Sequence, residues 1–263
     1  MNNRIIVIGG GASGMMAAGT AAECGKNVML IEQNKVLGKK LLITGKGRCN
    51  ITNACDEVED LLCNVVTNKR FLYSAFYTFD NHSTIDFFEN HGVKTKVERG
   101  ARVFPVSDKS SDVAAALRRY MTDNNVEIVT DRVDEICAED GAITGVMCKR
   151  RGFVPCAAVI LATGGISYPV TGSTGDGYTF AENLGHTITP LRPSLVPVTV
   201  AQSVEELSGL SLKNIAIDVK NSKGKSIYCD FGEMMFAHFG LTGPVILSAS
   251  AHMKDADKEK YTL

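Results

Sequence analysis

The chain has 263 residues, of which 44% are hydrophobic and 22% are charged, and its 28 basic and 29 acidic residues leave a net charge of −1. This composition is that of a globular protein with a substantial core. The balanced charge gives no reason to expect a nucleic-acid or membrane partner. The sequence includes no apolar run of the roughly 18 residues that span a bilayer. Eight cysteines without a CxxC pair or zinc-ligand spacing, and a strand that begins too early for a signal peptide, favour reduced thiols in a cytoplasmic protein without a metal site.

The first elements in chain order are a strand, a glycine turn, a helix and a second strand. The continuous apolar run Ile5–Ile8 predicts a parallel strand that is buried on both faces. The Ala- and Met-rich stretch Met15–Cys24 predicts a helix. The second strand, Asn27–Ile31, ends in Glu32, and seventeen residues separate Gly14 from this acid.

The glycine turn has the pattern Gly9-x-Gly11-x-x-Gly14 in the context of a dinucleotide-binding unit. In such a unit the first glycine permits the tight turn, the second lets the backbone approach a pyrophosphate, and the third lets helix and strand pack closely. The helix N-terminus supplies N–H groups and a partial positive charge to the phosphates. Glu32 is placed to accept hydrogen bonds from the adenosine ribose and to repel the 2′-phosphate of NADP. A purely structural glycine turn is the weaker alternative.

The middle of the chain is predicted to hold a loop, three helices and a hairpin. Gln33–Asn53 has little periodicity and is basic and rich in glycine, and loops of about this length are usually functional. The other predicted elements are helices over Lys69–Phe79, over Ser83–His91 with Ser83 as its cap, and after a cap at Ser110 or Ser111, followed by a hairpin of Arg132–Cys137 with Ile143–Arg150.

A second apolar strand, Ala157–Leu161, breaks at Ala162-Thr-Gly-Gly165. An apolar strand that ends in this way far downstream of the first motif recurs in FAD proteins, where the chain returns beside the nucleotide. The two motifs together favour FAD over NAD, although the second alone could be a generic core strand with a glycine turn. Val133, at the head of the hairpin, is expected to offer its backbone to the adenine edge.

The character of the chain changes after His186, where Pro190, Pro193 and Pro197 fall close together. We therefore predict a domain boundary near residue 190, between an FAD-binding domain of residues 1–189 and a mostly β domain of residues 190–263. Alternating patterns predict strands over Val198–Val200, Ile215–Lys220 and Ser226–Asp230, with a turn at 221–224.

Four stretches together resemble a known family. The stretch Gly45–Asn53, GKGRCNITN, is similar to the GGGRCNxTN signature of the HI0933-like flavoproteins, also described as aminoacetone-oxidase-like or BaiN-like FAD-dependent oxidoreductases. The stretches ATGGISYP at 162–169, GSTGDG at 172–177 and HFGLTGP at 238–244 match the family pattern in the same order. The resemblance covers essentially the whole chain, and Lys46 is a departure because the family often has glycine there.

The resemblance implies an α/β fold, with a Rossmann-like FAD-binding domain around a parallel sheet and an inserted, mostly β second domain. Family members continue beyond the inserted domain, so the resemblance also implies that this chain is truncated at its C-terminal end. The implied cofactor-binding residues are Gly9, Gly11, Ala12, Ser13, Gly14 and Glu32 for the ADP portion, Lys40, Lys46, Gly47, Arg48, Cys49 and Asn50 for the pyrophosphate and flavin, Thr163, Gly164 and Gly165 for the return contact, and Asp176 for orienting the cofactor or a loop.

The implied function is that of an FAD-dependent oxidoreductase that transfers hydride to or from a small organic substrate through the flavin. NADH, NADPH and oxygen stay open as redox partners, as do the substrate, the catalytic residues and the oligomeric state. Arg48 either stabilises charge on the reduced flavin or structures its loop, and His238 either faces the substrate or structures a domain junction.

Three alternatives remain. One is a flavin-binding fragment or redox module without turnover. A disulfide reductase that uses Cys49 and Cys55 is less favoured, because five residues rather than four separate these cysteines and the intervening segment reads as a loop. A flavin-dependent RNA-modifying enzyme is disfavoured by the neutral net charge.

Overall fold

The computed structural model describes residues 3–254 and 259–263. These residues form two compact units, one that comprises residues up to Asn64 with Lys69–Ile188 and one that comprises Val65–Asn68 with Thr189–Leu263. The helices are α1 (Ala12–Glu23), α2 (Val58–Cys63), α3 (Tyr73–Thr78), α4 (Asn81–Asn90), α5 (Ser110–Asp123), α6 (Asp176–Asn183) and α7 (Pro244–Ser250). The strands are β1 (Arg4–Ile8), β2 (Asn27–Glu32), β3 (Thr52–Asn53), β4 (Thr95–Glu98), β5 (Arg102–Pro105), β6 (Glu127–Thr130), β7 (Val133–Glu139), β8 (Ala142–Cys148), β9 (Gly152–Pro155), β10 (Ala158–Leu161), β11 (Val198–Thr199), β12 (Ser211–Lys220), β13 (Ser226–Ala237) and β14 (Gly240–Thr242).

A four-stranded sheet in the order β10-β1-β2-β6 forms the centre of the first unit, and every neighbouring pair in it is parallel. Side chains alternate across a strand, so an apolar run must be covered on both faces. Val7 and Leu30 pack with residues of α1 and α5 on one face, and Ile6 and Met29 pack with residues of β7 and β8 on the other. The predicted α/β, Rossmann-like fold around a parallel sheet is confirmed.

The strands β7, β8 and β9 form an antiparallel sheet over the second face of the parallel sheet. The predicted hairpin is present as β7 and β8, which turn at Asp140 and Gly141, both with positive φ. The third strand, β9, was not predicted as a separate element, because its four residues Gly152–Pro155 lie in the sequence directly before the apolar run of β10.

Two predicted helix caps are wrong. Helix α4 begins at Asn81, and the side chain of Asp80 caps it by accepting a hydrogen bond of 2.7 Å from the backbone N–H of Ser83. A carboxylate in extended backbone is both a good cap and a favourable charge at a helix N-terminus. Ser110 is the first residue of α5 rather than its cap, and its hydroxyl donates instead to the Leu42 carbonyl at 2.8 Å.

The small antiparallel sheet β3-β5-β4 supports the loop that follows β2. The backbone N–H of Ile51 donates to the carbonyl of Val103 at 2.8 Å and fixes the end of this loop. Within the loop Lys46 and Cys49 have φ values of 58° and 63°, in the left-handed region that side chains rarely adopt. These two positions turn the chain sharply, so neighbouring side chains point in different directions.

The second unit contains an antiparallel sheet in the order β11-β14-β13-β12, with α7 packed on it. Its core includes Val219, Met234, Leu241 and Ile246, from two long strands, a short strand and the helix. The long strands β12 and β13 are joined at Asn221, whose N–H bonds to the Lys225 carbonyl, in the predicted turn. In residues 3–254 and 259–263 there is no helix with the length and apolar character of a membrane span.

Candidate functional site

A cavity of about 540 Å³ opens at the carboxyl ends of the central strands. Its volume lies within the range of about 300–1,000 Å³ that is usual for ligand pockets. The glycine turn after β1, the residue that ends β2, and the turn after β10 all line it, as ligand sites at this edge of a parallel sheet do. The loop after β2, the segment 171–173 and apolar side chains of α4 and α5 also contribute to the lining.

The three glycines of the turn have different surroundings. Gly9 has φ +106°, and a Cβ there would lie 2.5 Å from the Ala162 carbonyl oxygen. A Cβ on Gly14 would overlap the Gly9 carbonyl oxygen. A Cβ on Gly11 would meet no atom within 4 Å, and Gly11 lines the cavity. Packing therefore requires two of the glycines, whereas the third leaves open a space that a ligand backbone can approach.

The N-terminus of α1 faces this open space. Gly11 is its N-cap and offers no side chain to the first turn, whose backbone N–H groups lack partners within the helix. Ala12 and Ser13 line the cavity next to it. We call the open space at Gly11, with the free backbone N–H groups of the first turn of α1, the glycine cradle. Such backbone N–H groups at a helix N-terminus are suitable donors for a diphosphate.

Glu32 is held firmly at the wall of the cavity and is only 9% exposed. One carboxylate oxygen, Oε2, accepts a hydrogen bond of 2.6 Å from the Gly10 backbone N–H. The other, Oε1, accepts from the backbone N–H of Asn34 at 2.7 Å and from the Nδ2 of the same residue at 2.6 Å. Three hydrogen-bond donors thus fix the orientation of the Glu32 carboxylate at the cavity wall.

Two lysines supply positive charge to the lining. Lys40 Nζ donates to the Ser167 carbonyl and to the Ser173 hydroxyl, both at 2.7 Å. Lys39 Nζ donates to the Val170 carbonyl at 2.5 Å. Both ammonium groups hold the segment 167–173 beside the cavity, and both lysines are part of its lining.

The structure brings most of the residues predicted from sequence to the cavity and its neighbour. The predicted residues that line the main cavity are Gly9, Gly11, Ala12, Ser13, Glu32, Lys40, Cys49, Asn50, Thr163 and Gly164. Val133 and Asp176 line a smaller adjacent cavity of about 40 Å³, which also touches Glu32 and Thr163. Asp176 pairs there with Arg132 at 3.5 Å.

Five predicted residues do not line either cavity. They are Gly14, Lys46, Gly47, Arg48 and Gly165. Gly14 packs against the turn itself, and a Cβ on Gly165 would lie 3.3 Å from the Tyr178 hydroxyl. His238 belongs to the second unit, where it is exposed and its ring contacts that of Phe239.

The Arg48 side chain is engaged by the β4–β5 region. Its guanidinium lies 2.9 Å from Glu98 and 3.2 Å from Asp108, and it stacks over the Phe104 ring at 4.0 Å. The hydrogen bond from Arg48 lowers the pKa of Glu98, and Lys96 together with Arg48 lowers the pKa of Asp108. Of the two roles predicted for Arg48, these contacts support the structuring of its loop.

Several residues that line the cavity are not among those predicted from the sequence: Asn34, Lys39, Thr171, Gly172 and Ser173. Lys39 carried a signal, because it is a second cation in the basic loop. Asn34 and Thr171 carried none. They meet only because β10 and β2 both pair with β1, which brings together segments separated by 137 residues.

The cysteines are all free, including Cys49 and Cys55. Burial raises the pKa of the Cys49 thiol, and burial also raises that of Cys55. Both shifts oppose the thiolate that an attack on a flavin or disulfide requires. Across the described parts of the chain, no three His, Cys, Asp or Glu side chains are grouped as metal ligands would be.

The model of the HI0933-like protein Rossmann domain matches residues 3–250. The chain belongs to the HI0933-like family. A 3-dehydro-bile acid delta(4,6)-reductase of Clostridium scindens is 33% identical over 95% of this chain and 60% of its own length. A ribosomal RNA dihydrouridine synthase of Escherichia coli is 30% identical over 96% of this chain and 61% of its own length.

The fold of the HI0933-like chain is shared with a solved 3-ketosteroid delta1-dehydrogenase from Sterolibacterium denitrificans. The TM-score is 0.60 at 16% identity, over 86% of this chain and 63% of the other. A sequence identity of 16% shows that the fold is shared and nothing more. The chain spans about 60% of the length of the curated relatives that it matches.

Proposed function

We propose that this HI0933-like chain binds FAD and acts as an FAD-dependent oxidoreductase. The observation that carries the proposal is the single cavity that combines a bare glycine cradle, an uncapped helix N-terminus and a fixed carboxylate. These features match, in one place, the diphosphate and the ribose of an adenine dinucleotide. Membership of the HI0933-like family supports FAD as that dinucleotide.

Different residues of the cavity are proposed to bind different parts of the cofactor. The backbone at Gly11, Ala12 and Ser13 holds the diphosphate, Glu32 accepts the ribose hydroxyls, and Lys40 supplies compensating charge. Val133 and Asp176 border the adenine side through the smaller cavity. Apolar side chains in the lining, among them Leu41, Phe87, Phe88, Val113 and Leu117, suit the flat ring system of the flavin. When bound, the flavin supplies hydride and electron transfer, and the protein supplies position and electrostatics.

We propose a carbon–carbon double bond conjugated to a carbonyl as the group that is reduced. The names of the two curated relatives have this chemistry in common. A delta(4,6) unsaturated 3-oxo steroid carries such a bond, and so does the uracil ring, which becomes dihydrouracil when two hydrogens are added across C5 and C6. The first candidate is therefore an unsaturated ketone of small-molecule size, with NADH or NADPH as the proposed donor.

The second candidate is uridine within RNA, and the specific observation that favours it is the 30% identity to the ribosomal RNA dihydrouridine synthase. The net charge of −1 gives this chain no overall attraction for phosphate backbones. The expectation that nucleic acid is not a partner stays a prediction. The cytoplasmic location also stays a prediction, which the eight free thiols support.

Two further alternatives follow from the predicted function. A disulfide reductase based on Cys49 and Cys55 is not favoured, since the pKa of each thiol is raised. A flavin-binding module without turnover differs from the enzyme because its bound flavin is not reduced by a donor. The same experiment therefore separates it from the proposed oxidoreductase.

The test is an absorbance spectrum of the purified protein after incubation with FAD, followed by anaerobic titration with NADH and with NADPH. We expect a bound-flavin spectrum that is bleached by one donor and restored by an unsaturated 3-oxo steroid. Restoration by a uridine-containing ribosomal RNA transcript, and not by the steroid, would establish the second candidate. Protein that retains no FAD refutes the proposal, and bound flavin that no donor reduces identifies a binding module.

A further inference from the structure

Asn34 connects three parts of the cavity wall. Its Nδ2 donates to Glu32 Oε1 at 2.6 Å and to the Thr171 carbonyl at 3.2 Å, and its backbone N–H donates to the same Glu32 oxygen at 2.7 Å. Its Oδ1 accepts from Lys39 Nζ at 3.4 Å. The half-buried Asn34 amide therefore meets the carboxylate that ends β2, the basic loop and the segment that follows β10.

The carboxylate of a glutamate side chain rotates freely unless its oxygens are held. Gly10 fixes Oε2, and of the two donors to Oε1 only the Asn34 Nδ2 comes from a side chain. Hydrogen bonds to a charged acceptor are stronger than neutral ones, and losing one costs more in a largely buried setting. Backbone N–H groups hold both oxygens, and the Asn34 amide adds the one side-chain hydrogen bond to this carboxylate among the described residues.

We propose that Asn34 is a positioning residue for dinucleotide binding, which holds Glu32 in its ribose-accepting orientation and ties it to the segment at Thr171. This inference rests on the proposed function, because it assumes that the cavity takes an adenine dinucleotide. Asn34 acts through Glu32 and needs no contact with the cofactor.

Gln33 provides a matched control, because it also ties the strand end to the segment after β10. Its Nε2 donates to the Gly172 carbonyl at 3.0 Å, next to the Asn34 tie at Thr171. No hydrogen bond joins the Gln33 side chain to Glu32 among the described residues. Gln33→Leu therefore removes a tie of the same kind and leaves every donor to the carboxylate in place.

The charged groups around Glu32 determine how a second carboxylate would behave there. Lys39 and Lys40 line the main cavity with Glu32, and Asp131, Arg132 and Asp176 line the smaller one. Asp131 is occupied by backbone N–H groups, and Arg132 pairs with Asp176. In Asn34→Asp, Lys39 would face one oxygen of the new carboxylate and Glu32 would face the other. Two carboxylates this close share a proton as the pH falls.

The experiment measures dissociation constants for FAD by fluorescence and for ADP by calorimetry, between about pH 8 and about pH 5.5. ADP is included because it carries the ribose without the flavin. We expect Asn34→Leu to weaken both ligands about tenfold at every pH, the loss of one hydrogen bond to a charged acceptor. We expect Asn34→Asp to weaken both at pH 8 and to recover as the pH falls, because a shared proton replaces the lost N–H donor. Each affinity is compared with that of wild type at the same pH, because the terminal phosphate of ADP also ionises in this range. The ratio of Gln33→Leu to wild type should not change with pH.

Circular dichroism and thermal melting of each variant accompany the titrations. Asn34→Asp has the same shape as the native side chain, so it decides the question even if Asn34→Leu does not fold. Affinity within twofold of wild type in Asn34→Leu, or a pH-independent loss in Asn34→Asp, would overturn the inference. Wild-type protein that binds ADP but not FAD would refute the proposed cofactor and leave the role of Asn34 to be read from ADP.

Discussion

At the scale of single residues, glycine serves the turn after β1 in two distinct ways. Gly9 and Gly14 are required by the protein, since a Cβ at either would run into backbone atoms of Ala162 or Gly9. Gly11 has φ −76°, which any residue can adopt, and open space around its missing Cβ. The protein itself does not require glycine there, and the open space is where a ligand can approach the backbone.

This contrast predicts opposite effects for two alanine substitutions. Gly11→Ala should leave the melting temperature close to that of the wild type and weaken FAD binding at least about tenfold, because the added methyl group occupies the diphosphate cradle. Gly14→Ala should destabilise the fold by about 1–3 kcal/mol, because the turn is overpacked. Thermal melting without ligand and FAD titration, run on both variants, check the pair.

The outcome that contradicts this assignment is equally specific. If Gly11→Ala binds FAD as well as the wild type does, the cradle is not the diphosphate site. If it melts as early as Gly14→Ala, glycine at position 11 is needed for the fold rather than for a ligand.

At the scale of elements, the loop between β2 and β3 depends on an anchor outside the cavity. Cys49 and Asn50 line the cavity, while the neighbouring Arg48 extends to Glu98 and Asp108. The left-handed backbone at Cys49 makes this divergence possible. Arg48 therefore holds the loop through the β4–β5 sheet, and the charged cluster of Arg48, Lys96, Glu98 and Asp108 stabilises one wall of the cavity indirectly.

The directions of the pKa shifts in this cluster predict how its contribution to folding stability changes in acid. Glu98 and Asp108 both have a lowered pKa in the folded protein, so their stabilising effect is present above the unfolded values near pH 4 and is lost as the pH falls through the folded ones. Arg48→Met should lower the melting temperature at pH 7, and the gap from wild type should close between about pH 5 and about pH 3. Melting curves of both proteins across that range measure the gap.

Glu98→Gln is the matched control for this prediction, since it keeps the shape of the side chain and removes the charge that Arg48 meets at 2.9 Å. It should reproduce part of the loss at pH 7 and show the same convergence in acid. Because the side chains of Arg48, Glu98 and Asp108 are 29–42% exposed, high salt should also narrow the gap in melting temperature. A gap that is constant with pH and salt would mean that Arg48 stabilises through its stacking on Phe104.

At the scale of the whole molecule, local sequence patterns predicted the strands and helices, whereas the side-chain contacts of the candidate site depend on how distant strands pair. The apolar runs of β1, β2 and β10 and the spacing of Gly9, Gly11 and Gly14 are properties of short stretches, and the Rossmann-like sheet followed from them. The contact between Asn34 and Thr171 cannot be predicted from a short stretch, because it depends on the order in which the strands pair. The direction of the Arg48 side chain was equally hidden, because it follows from left-handed backbone at Lys46 and Cys49 rather than from their residue types.

The division into two units gives the last prediction, because the candidate site lies wholly within the first. A ligand stabilises only states that bind it, by about 2.7 kcal/mol at a hundredfold excess over its dissociation constant. Hydrogen exchange measured with and without FAD should therefore show added protection in peptides that cover 9–16, 32–41 and 162–173. Peptides from β12 and β13, whose core is separate, should exchange at unchanged rates. Protection that appears in β12 and β13 but not around the glycine turn would place the bound flavin elsewhere. Protection confined to 32–41 and 162–173 would show that contacts on the ribose side, and not those at Gly11, dominate binding.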